Sequence, residues 1–310
     1  CETLRGNVNT RIQKLRDGNY HAITLALAGL DRLAQGEKSK LELSQLLQGM
    51  NFSVLPLSVF PSAAAQGALA LELAHGRTDN GALEAIIKKL HHDATAAEVG
   101  RERLAFKGYG GGCHLAVGIH VRGIDGDFLH FHRGEKDGVK IQVKHREGAL
   151  PPNETPDAVF VGQGHATGVI VDELYKKISS QAVAPTANKH VFVTTARTLP
   201  SLQLKPKTLW SAGFDTQKKM VQQGHWVNGG ADSMGVTEIQ RLANSPALKM
   251  MMGEAPWLVL SHAKATSPLG EVYAGYSQEM KSPSPPQKAQ LEKVTHARWA
   301  SFPQYAAYVR

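Results

Sequence analysis

Residues 109–148 have the sequence YGGGCHLAVGIHVRGIDGDFLHFHRGEKDGVKIQVKHREG, and this stretch determines the architecture of the middle of the chain. After residue 114 apolar and polar side chains alternate, and Asp-Gly pairs stand at 125–126 and 137–138. Alternation with a period of two, broken by Asp-Gly turns, is typical of antiparallel hairpins. We therefore predict an antiparallel sheet here, preceded by a helical region at residues 80–107.

Cys113 stands directly after three glycines, and the only other cysteine of the chain is Cys1. Glycines leave room beside the backbone for a bulky group and permit positive φ angles. A partly exposed thiolate near arginines would also be reactive. The pattern is therefore compatible with a modified cysteine, and the alternative is a small apolar side chain in a tight turn.

The composition is that of a globular protein, with 42% hydrophobic and 20% charged residues among 310. No apolar run is long enough for a membrane helix, and the first residues do not resemble a signal peptide. Two cysteines cannot form a disulfide framework, so we expect a cytoplasmic protein.

The excess of 35 basic over 27 acidic residues favours an anionic partner. Aromatic residues make up only 6%, so base-stacking surfaces are poorly supplied, and we expect a multiply charged small ligand rather than nucleic acid. No Cys/His pair has zinc-finger spacing, and we predict no metal site. His130 and His132 are expected on one exposed face of a strand.

Other segments give simpler patterns. Val8, Ile12 and Leu15 recur on one face of a helix, and either Asn7 or Asn9 can be its N-cap residue. We predict a buried parallel strand at residues 21–30, strand-like structure at 51–73 and a closing helix at 160–180. Strands and helices alternate beyond residue 189, which indicates a separate parallel α/β unit.

Three motifs follow one another in the first 121 residues. The first is LRGNVNTRIQKL at 4–15, continued by NYHAITLALAGLDRL at 19–33. The second is PSAAAQGALALEL at 61–73, and the third is GGGCHLAVGIHV at 110–121. Together, and in this order, they resemble the porphobilinogen deaminase family, whose enzymes are also called hydroxymethylbilane synthases.

The resemblance implies a ligand for the cysteine and for the arginines. In this family the loop cysteine carries a dipyrromethane cofactor through a thioether, which assigns that role to Cys113. Porphobilinogen units carry an acetate and a propionate each, and the planar fork of arginine suits carboxylates. By the same resemblance, Arg5, Arg11 and Arg32 hold the carboxylates of the cofactor and of the growing chain.

The second motif resembles the hinge of the family, and Gln66 and Gly67 match its cofactor-side residues. Ala65 stands where the family has its first hinge glycine, and Ala116 replaces the proline after the cysteine. The family's first domain, which carries the catalytic aspartate, has no counterpart here that we recognise, so the catalytic residue is unknown. Either a separate chain or segment supplies that domain, or the reaction has been lost.

Residues 189–310 more faintly resemble one lobe of uroporphyrinogen-III synthase. We therefore predict a multidomain α/β and α+β protein. Its parts are a periplasmic-binding-protein-like α/β domain with the hinge strand at 1–79, a small α+β domain with the cofactor-cysteine loop at 80–180, and a flavodoxin-like parallel α/β lobe at 189–310.

The function implied by the resemblance is in tetrapyrrole (haem) biosynthesis. Four porphobilinogens would be condensed stepwise to hydroxymethylbilane on the Cys113-linked dipyrromethane, with an aspartate from the family's first domain. The expected partners are porphobilinogen, linear tetrapyrrole carboxylates and a possible separate chain that supplies this domain. The alternative is a non-catalytic tetrapyrrole-binding or scaffold subunit of the same pathway.

Overall fold

The computed structural model describes residues 2–74, 76, 78, 80–112, 114–124, 126–147, 159–161, 170–171, 174–294, 296–298 and 308. In these residues no helix is both long and apolar enough to cross a membrane. The helices are α1 (Val8–Arg16), α2 (Leu27–Gln35), α3 (Glu37–Leu47), α4 (Asn80–Leu90), α5 (Asp93–Gly108), α6 (Phe214–Gln222), α7 (Val236–Ala243), α8 (Pro246–Met252) and α9 (Pro285–Leu291), with a 3₁₀ helix at Ala196–Ser201.

The strands, again in chain order, are β1 (Val117–Ile124), β2 (Asp127–Lys136), β3 (Val139–Arg146), β4 (Val159–Val161), β5 (Ile170–Val171), β6 (Tyr175–Ser179), β7 (His190–Val193), β8 (Thr208–Ser211), β9 (Gly229–Gly230), β10 (Trp257–His262), β11 (Glu271–Met280) and β12 (His296–Arg298). The chain forms two compact units. Unit 1 consists of Cys1–Ala149 and Asn228–Gly253, and unit 2 of Leu150–Val227 and Glu254–Arg310.

The first core of unit 1 is helical. Helices α1, α2 and α3 pack around Ile12, Leu30 and Leu43, all of which are buried. Helix α8 closes this core with Ala247, which is fully buried although it lies more than 200 positions further along the chain. Apolar side chains from four helices are thus removed from water together, which is the main stabilising contribution to such a core.

The second core of unit 1 is the antiparallel sheet predicted from residues 109–148. Strands β1, β2 and β3 are neighbours in this order, and each pair is antiparallel. Val117, Ile119 and Val121 alternate toward the buried face of β1, where α5 packs through Ala105 and Phe106. The period-two pattern and the observed register agree, so the hairpin prediction is confirmed.

Unit 2 contains a mostly parallel sheet in which β6, β11, β10, β7 and β8 are neighbours in this order. Strands β11, β10, β7 and β8 are parallel to one another, and β6 is antiparallel to β11. Val191, Leu209 and Leu258 lie in its core. A second, short parallel sheet has the order β12, β4, β5. The prediction of parallel α/β structure beyond residue 189 is therefore confirmed.

Three local predictions are wrong. Residues 21–26 are not a strand, and the apolar run continues as α2, because Leu30 and Ala34 recur at helical spacing and are buried on one face. The predicted closing helix is contradicted by β6, which pairs with the edge of β11.

The third concerns the strand-like stretch at 51–73. In the described part of this stretch, regular pairing is limited to one bridge, at Ala63. Pro56 and Pro61 lack the N–H that a ladder requires, which explains the difference.

The predicted fold class, a mixed α/β and α+β architecture, is thus confirmed. The two compact units cut the chain differently from the predicted domains, since residues 228–253 belong to unit 1. The two units are defined by contacts within the folded chain, whereas the predicted domains are defined by resemblance to a family. The boundaries at 79, 180 and 189 therefore stay a prediction.

Candidate cofactor-binding site

The first motif forms the N-terminus of α1. The side-chain oxygen of Asn7 accepts hydrogen bonds from the backbone N–H of Thr10 at 2.9 Å and from its hydroxyl at 2.8 Å. Gly6 has a φ of 118°, and a Cβ here would lie 2.9 Å from Cγ2 of Thr10. Helix capping explains Asn7 and Thr10, and the lack of room for a Cβ explains Gly6. These local effects do not account for the two arginines of the motif.

The arginines of this region differ in their surroundings. Nε of the half-buried Arg11 donates to the carbonyl of Gly6 at 2.7 Å, and Nζ of Lys14 donates to the carbonyl of Arg5 at 3.1 Å. The side chains of Arg5 and Arg32 are exposed, and neither makes a hydrogen bond or ion pair with another described residue. Arg5 and Arg32 therefore retain all their donors for an external carboxylate.

The glycine loop begins where α5 ends. Tyr109 is the C-cap residue of this helix, and its N–H donates to carbonyls of the last turn. Residues 110–112 all have positive φ angles, of 104°, 62° and 100°. A Cβ at Gly112 would lie 2.8 Å from the ring of His114. Three successive positive φ angles are readily adopted only by glycine. Cys113 itself lies outside the described residues.

Buried histidine side chains of β2 lie beside Tyr109, the residue before the loop. Its hydroxyl lies 2.9 Å from Nδ1 of His132, and Nε2 of His130 lies 2.7 Å from Oε1 of Glu147. Burial, and then the charges of His130 and other basic neighbours, lower the pKa of His132 to about 4. The His132 ring is therefore neutral at neutral pH and available to the Tyr109 hydroxyl.

The expectation that His130 and His132 are exposed is wrong, since 6% and 5% of their surfaces are accessible. Both rings lie on the face of β2 that is shared with the buried Ile119 and Val121 of β1, and Tyr109 and His145 contact them there. Within the described ranges, no group of three or more His, Cys, Asp or Glu side chains has the arrangement of a metal site.

The second motif lies along the free edge of β1. The N–H of Ile119 donates to the carbonyl of Ser62 at 2.9 Å, and Ala63 forms an antiparallel bridge with Gly118. A Cβ at Gly118 would lie 2.2 Å from the carbonyl oxygen of Pro61, so only glycine permits this close approach. The hinge-like segment is thus attached to the strand that follows the cysteine loop.

Ala65 occupies a left-handed conformation, with a φ of 63°. Its backbone N–H donates to Oε2 of Glu102 at 2.8 Å, so a backbone contact is present although glycine has been replaced. Gln66 is exposed, with its N–H bonded to the carbonyl of Ala63, and Gly67 is exposed at a φ of 95° with open space around it.

The structure thus divides the predicted residues between two places. Arg5, Arg11 and Arg32 lie on or next to α1 and α2, whereas residues 66–67 follow the segment that is bonded to β1, and the glycine loop lies between α5 and β1. Among the described residues, no hydrogen bond or ion pair joins the two groups.

Three residues near the loop were missed by the sequence patterns: Glu102, Tyr109 and His132. A signal for the first two exists, because residues 102, 105, 106 and 109 are spaced at i, i+3, i+4 and i+7 along α5. A carboxylate within such an apolar stripe indicates a buried, hydrogen-bonded acid.

Comparisons with known proteins agree with the motif resemblance. Residues 1–82 match the family model described as porphobilinogen deaminase, dipyromethane cofactor binding domain. The chain is 37% identical over 169 residues to the porphobilinogen deaminase of Paraburkholderia phytofirmans, covering 54% of this chain and 44% of the relative. It is 34% identical over 149 residues to that of Clostridioides difficile, covering 47% of this chain and 44% of the relative.

The chain spans somewhat less than half the length of these curated relatives. The resemblance to porphobilinogen deaminase is thereby confirmed, and it includes the cofactor-binding domain. Cys113 lies beyond the residues matched by the family model. Among solved structures, uroporphyrinogen-III synthetase from Helicobacter pylori aligns at 14% identity and a TM-score of 0.30, over 44% of this chain and 68% of that one.

The described residues fit a dipyrromethane in their chemistry. The group is a polycarboxylate, and Arg5 and Arg32 offer exposed, unengaged guanidinium groups, with no acidic residue in the first turn of α1 to compete. Residues 110–112 all have positive φ angles, and the backbone at Gly111 has open space around it.

Proposed function

We propose that this chain contributes the cofactor-carrying part of a hydroxymethylbilane synthase. The observation that carries the proposal is the match of residues 1–82 to the dipyrromethane cofactor-binding domain. The relatives, of which the aligned stretch covers 44%, are named porphobilinogen deaminase. The reaction would join four porphobilinogens head to tail and release ammonia at each step.

Cys113 is the proposed attachment point, through a thioether between its sulfur and a pyrrolic methylene carbon. When bound, dipyrromethane would supply the end to which porphobilinogen is joined. Arg5 and Arg32 would bind carboxylates through unengaged guanidinium groups, and Arg11 would do so while it holds the carbonyl of Gly6. Gln66 and Gly67 would lie on the cofactor side of the hinge segment.

The chain's own residues do not include an aspartate in the context that the family uses for the chemical step. We therefore propose that this carboxylate comes from residues other than these 310, either from another segment of the same protein or from a separate chain. Leu57, Phe60, Leu69 and Leu71, in the hinge-like stretch, are exposed by 39–96% and are the proposed contact surface for that part.

The domain boundaries at 79, 180 and 189 and the cytoplasmic location belong to the same proposal. The similarity of residues 189–310 to one lobe of uroporphyrinogen-III synthase rests on the order of four stretches, HVFVTTARTL, LWSAGFDTQKKMVQQGHWVNGGADSMGVTEIQRL, WLVLSHAKATSPLGEVYAGYSQEM and VTHARWASFPQY. We assign no activity to this lobe.

Intact mass of the protein, purified from cells that make porphobilinogen, tests the proposal. The expected mass exceeds that of the chain by about two linked pyrroles, because a thiolate is the nucleophile. Cys113→Ser should fold and carry no adduct, while Cys1→Ser is the matched control and should keep it. A wild-type chain without an adduct would contradict the proposal.

A further inference from the structure

The carboxylate of Glu102 is buried where three elements meet. It lies on α5, only 8% of the residue's surface is accessible, and its two oxygens have different partners. Oε2 accepts the N–H of Ala65 at 2.8 Å, and Oε1 accepts the N–H of Val121, in β1, at 3.0 Å. Nδ1 of His120 lies 3.6 Å from Oε1.

The charge state of Glu102 follows from these contacts. Burial by itself raises the pKa of the carboxyl group, but the contacts with His120, Val121 and Ala65 outweigh it, and the pKa is lowered from its ordinary value. An ionised carboxylate in a buried position is stable only when its oxygens are occupied by donors. Both oxygens of Glu102 meet this condition.

Glu102 joins the hinge-like segment to the two elements on either side of the cysteine loop. Helix α5 leads into the loop, β1 follows it, and residues 61–67 form the hinge-like segment. Other backbone contacts between this segment and β1 are the bridge at Ala63 and the bond between Ser62 and Ile119. Glu102 adds a contact in which the acceptor is charged. This contact is made at Ala65, where the backbone of the segment has a left-handed conformation.

We infer that Glu102 is a positioning residue that holds the hinge-like segment in register with the two elements on either side of the Cys113 loop. The inference rests on the proposed function for the role of that loop. Its chemical basis is the bidentate use of one carboxylate, with one oxygen for each backbone segment. Neither glutamine, which would turn an N–H₂ toward one of the two donors, nor the shorter aspartate can satisfy both.

Hydrogen exchange on the full chain, read at single amides, tests this inference. In Glu102→Gln the amides of Ala65 and Val121 should exchange faster, at least one of them by about tenfold or more, because a charge-assisted bond is lost. The matched control is Glu98→Gln, on the same helix, whose carboxylate accepts the N–H of Gly123 at 2.9 Å. It should affect Gly123 and leave Ala65 protected.

The second readout is the rate at which Cys113 acquires its adduct, followed by intact mass. Glu102→Gln should load several-fold more slowly than wild type, and Glu98→Gln at the wild-type rate. Unchanged protection at both Ala65 and Val121, or equal loading in all three proteins, would overturn the inference. Should Glu102→Gln not fold, Glu102→Asp takes its place in both measurements. A wild-type chain that never loads would count against the proposed function, and amide exchange alone would then decide the role of Glu102.

Discussion

Ala65 illustrates how one residue can carry a structural cost that glycine would avoid. An L-residue in the left-handed region brings its Cβ close to the following carbonyl, at a cost of about 1–2 kcal/mol, which glycine does not incur. Ala65 nevertheless adopts a φ of 63°. The N–H contact with Glu102 and the pairing of Ala63 with β1 hold the segment in this conformation.

Ala65→Gly should therefore stabilise the protein. The relief of left-handed strain exceeds the entropy that glycine adds to the unfolded chain, and we expect a net gain of about 0.5–1 kcal/mol in the free energy of unfolding. Urea denaturation measures this gain. Ala68→Gly is the control, because Ala68 does not have a positive φ and the same change should be destabilising. A loss of stability in Ala65→Gly would mean that the conformation is not strained.

Sequence patterns identify the glycines, the cysteine and the capping residues of the candidate site, because these depend on local geometry. The positive φ angles at residues 110–112 and the cap at Asn7 are of this kind. The partners of Glu102 and His132 lie on other elements, so no local pattern specifies them. The spacing along α5 can mark Glu102 as a buried acid but does not identify its partners, and the burial of His132 was predicted wrongly because it depends on such distant contacts.

At the scale of elements, α7 is attached to β1 by Glu238, whose carboxylate forms ion pairs with two arginines. Oε2 of Glu238 lies 2.9 Å from Nη2 of Arg122, and Oε1 lies 2.7 Å from Nη2 of Arg241. Only 8% of the glutamate side chain is accessible, whereas 63% of Arg241 is exposed. Solvent therefore screens one of the two pairs much more than the other.

We predict that Glu238→Gln lowers the free energy of unfolding by about 1–3 kcal/mol at neutral pH, because bonds to a charged acceptor are lost. Burial raises the pKa of Glu238, but the bonds from Arg241 and Arg122 outweigh it and lower the pKa overall. A group with a lowered folded-state pKa stabilises above its unfolded-state pKa, and this contribution is lost as the pH falls through the folded-state value.

The difference between wild type and Glu238→Gln should therefore be constant near neutrality and shrink in acid. Denaturation curves at several pH values measure it. Asp215→Asn, at an exposed position in the first turn of α6, is the matched control and should show a much smaller difference. A difference for Glu238→Gln that grows in acid would contradict the assigned pKa direction.

Elements with clear periodicity, such as α1 and the β1–β2–β3 meander, are predictable from the sequence because their apolar positions match one period only. The apolar run at residues 21–30 is compatible with a strand or a helix. Its conformation depends on α3 and α8, which pack against α2. Tertiary contacts of this kind are absent from any local window, which explains the wrong strand at that position.

For the molecule as a whole, Asp31 connects remote parts of the sequence. Its Oδ1 accepts the hydroxyl of Ser245 at 2.5 Å and the N–H of Ala247 at 3.0 Å, so a residue of α2 stabilises the start of α8. We predict that Asp31→Ala costs about 1–2 kcal/mol of unfolding free energy, as the loss of a helix cap does. Thermal or urea unfolding measures it.

Asp31→Asn retains a side-chain oxygen and should be less damaging than Asp31→Ala. Glu42→Ala, at an exposed position of α3, should change the stability by less than about 0.5 kcal/mol. Equal effects of Asp31→Ala and Glu42→Ala would show that the attachment of α8 contributes nothing measurable.

The bond between Asp31 and Ser245 also has a consequence for biosynthesis, because it spans 214 residues. At about 5–20 residues per second, a ribosome needs roughly 10–40 seconds to make the intervening chain. During that time α1, α2 and α3 already exist, but the apolar side of Leu30 that α8 will cover has no partner. Nascent chains of this protein should therefore depend on holding chaperones until α8 has been synthesised.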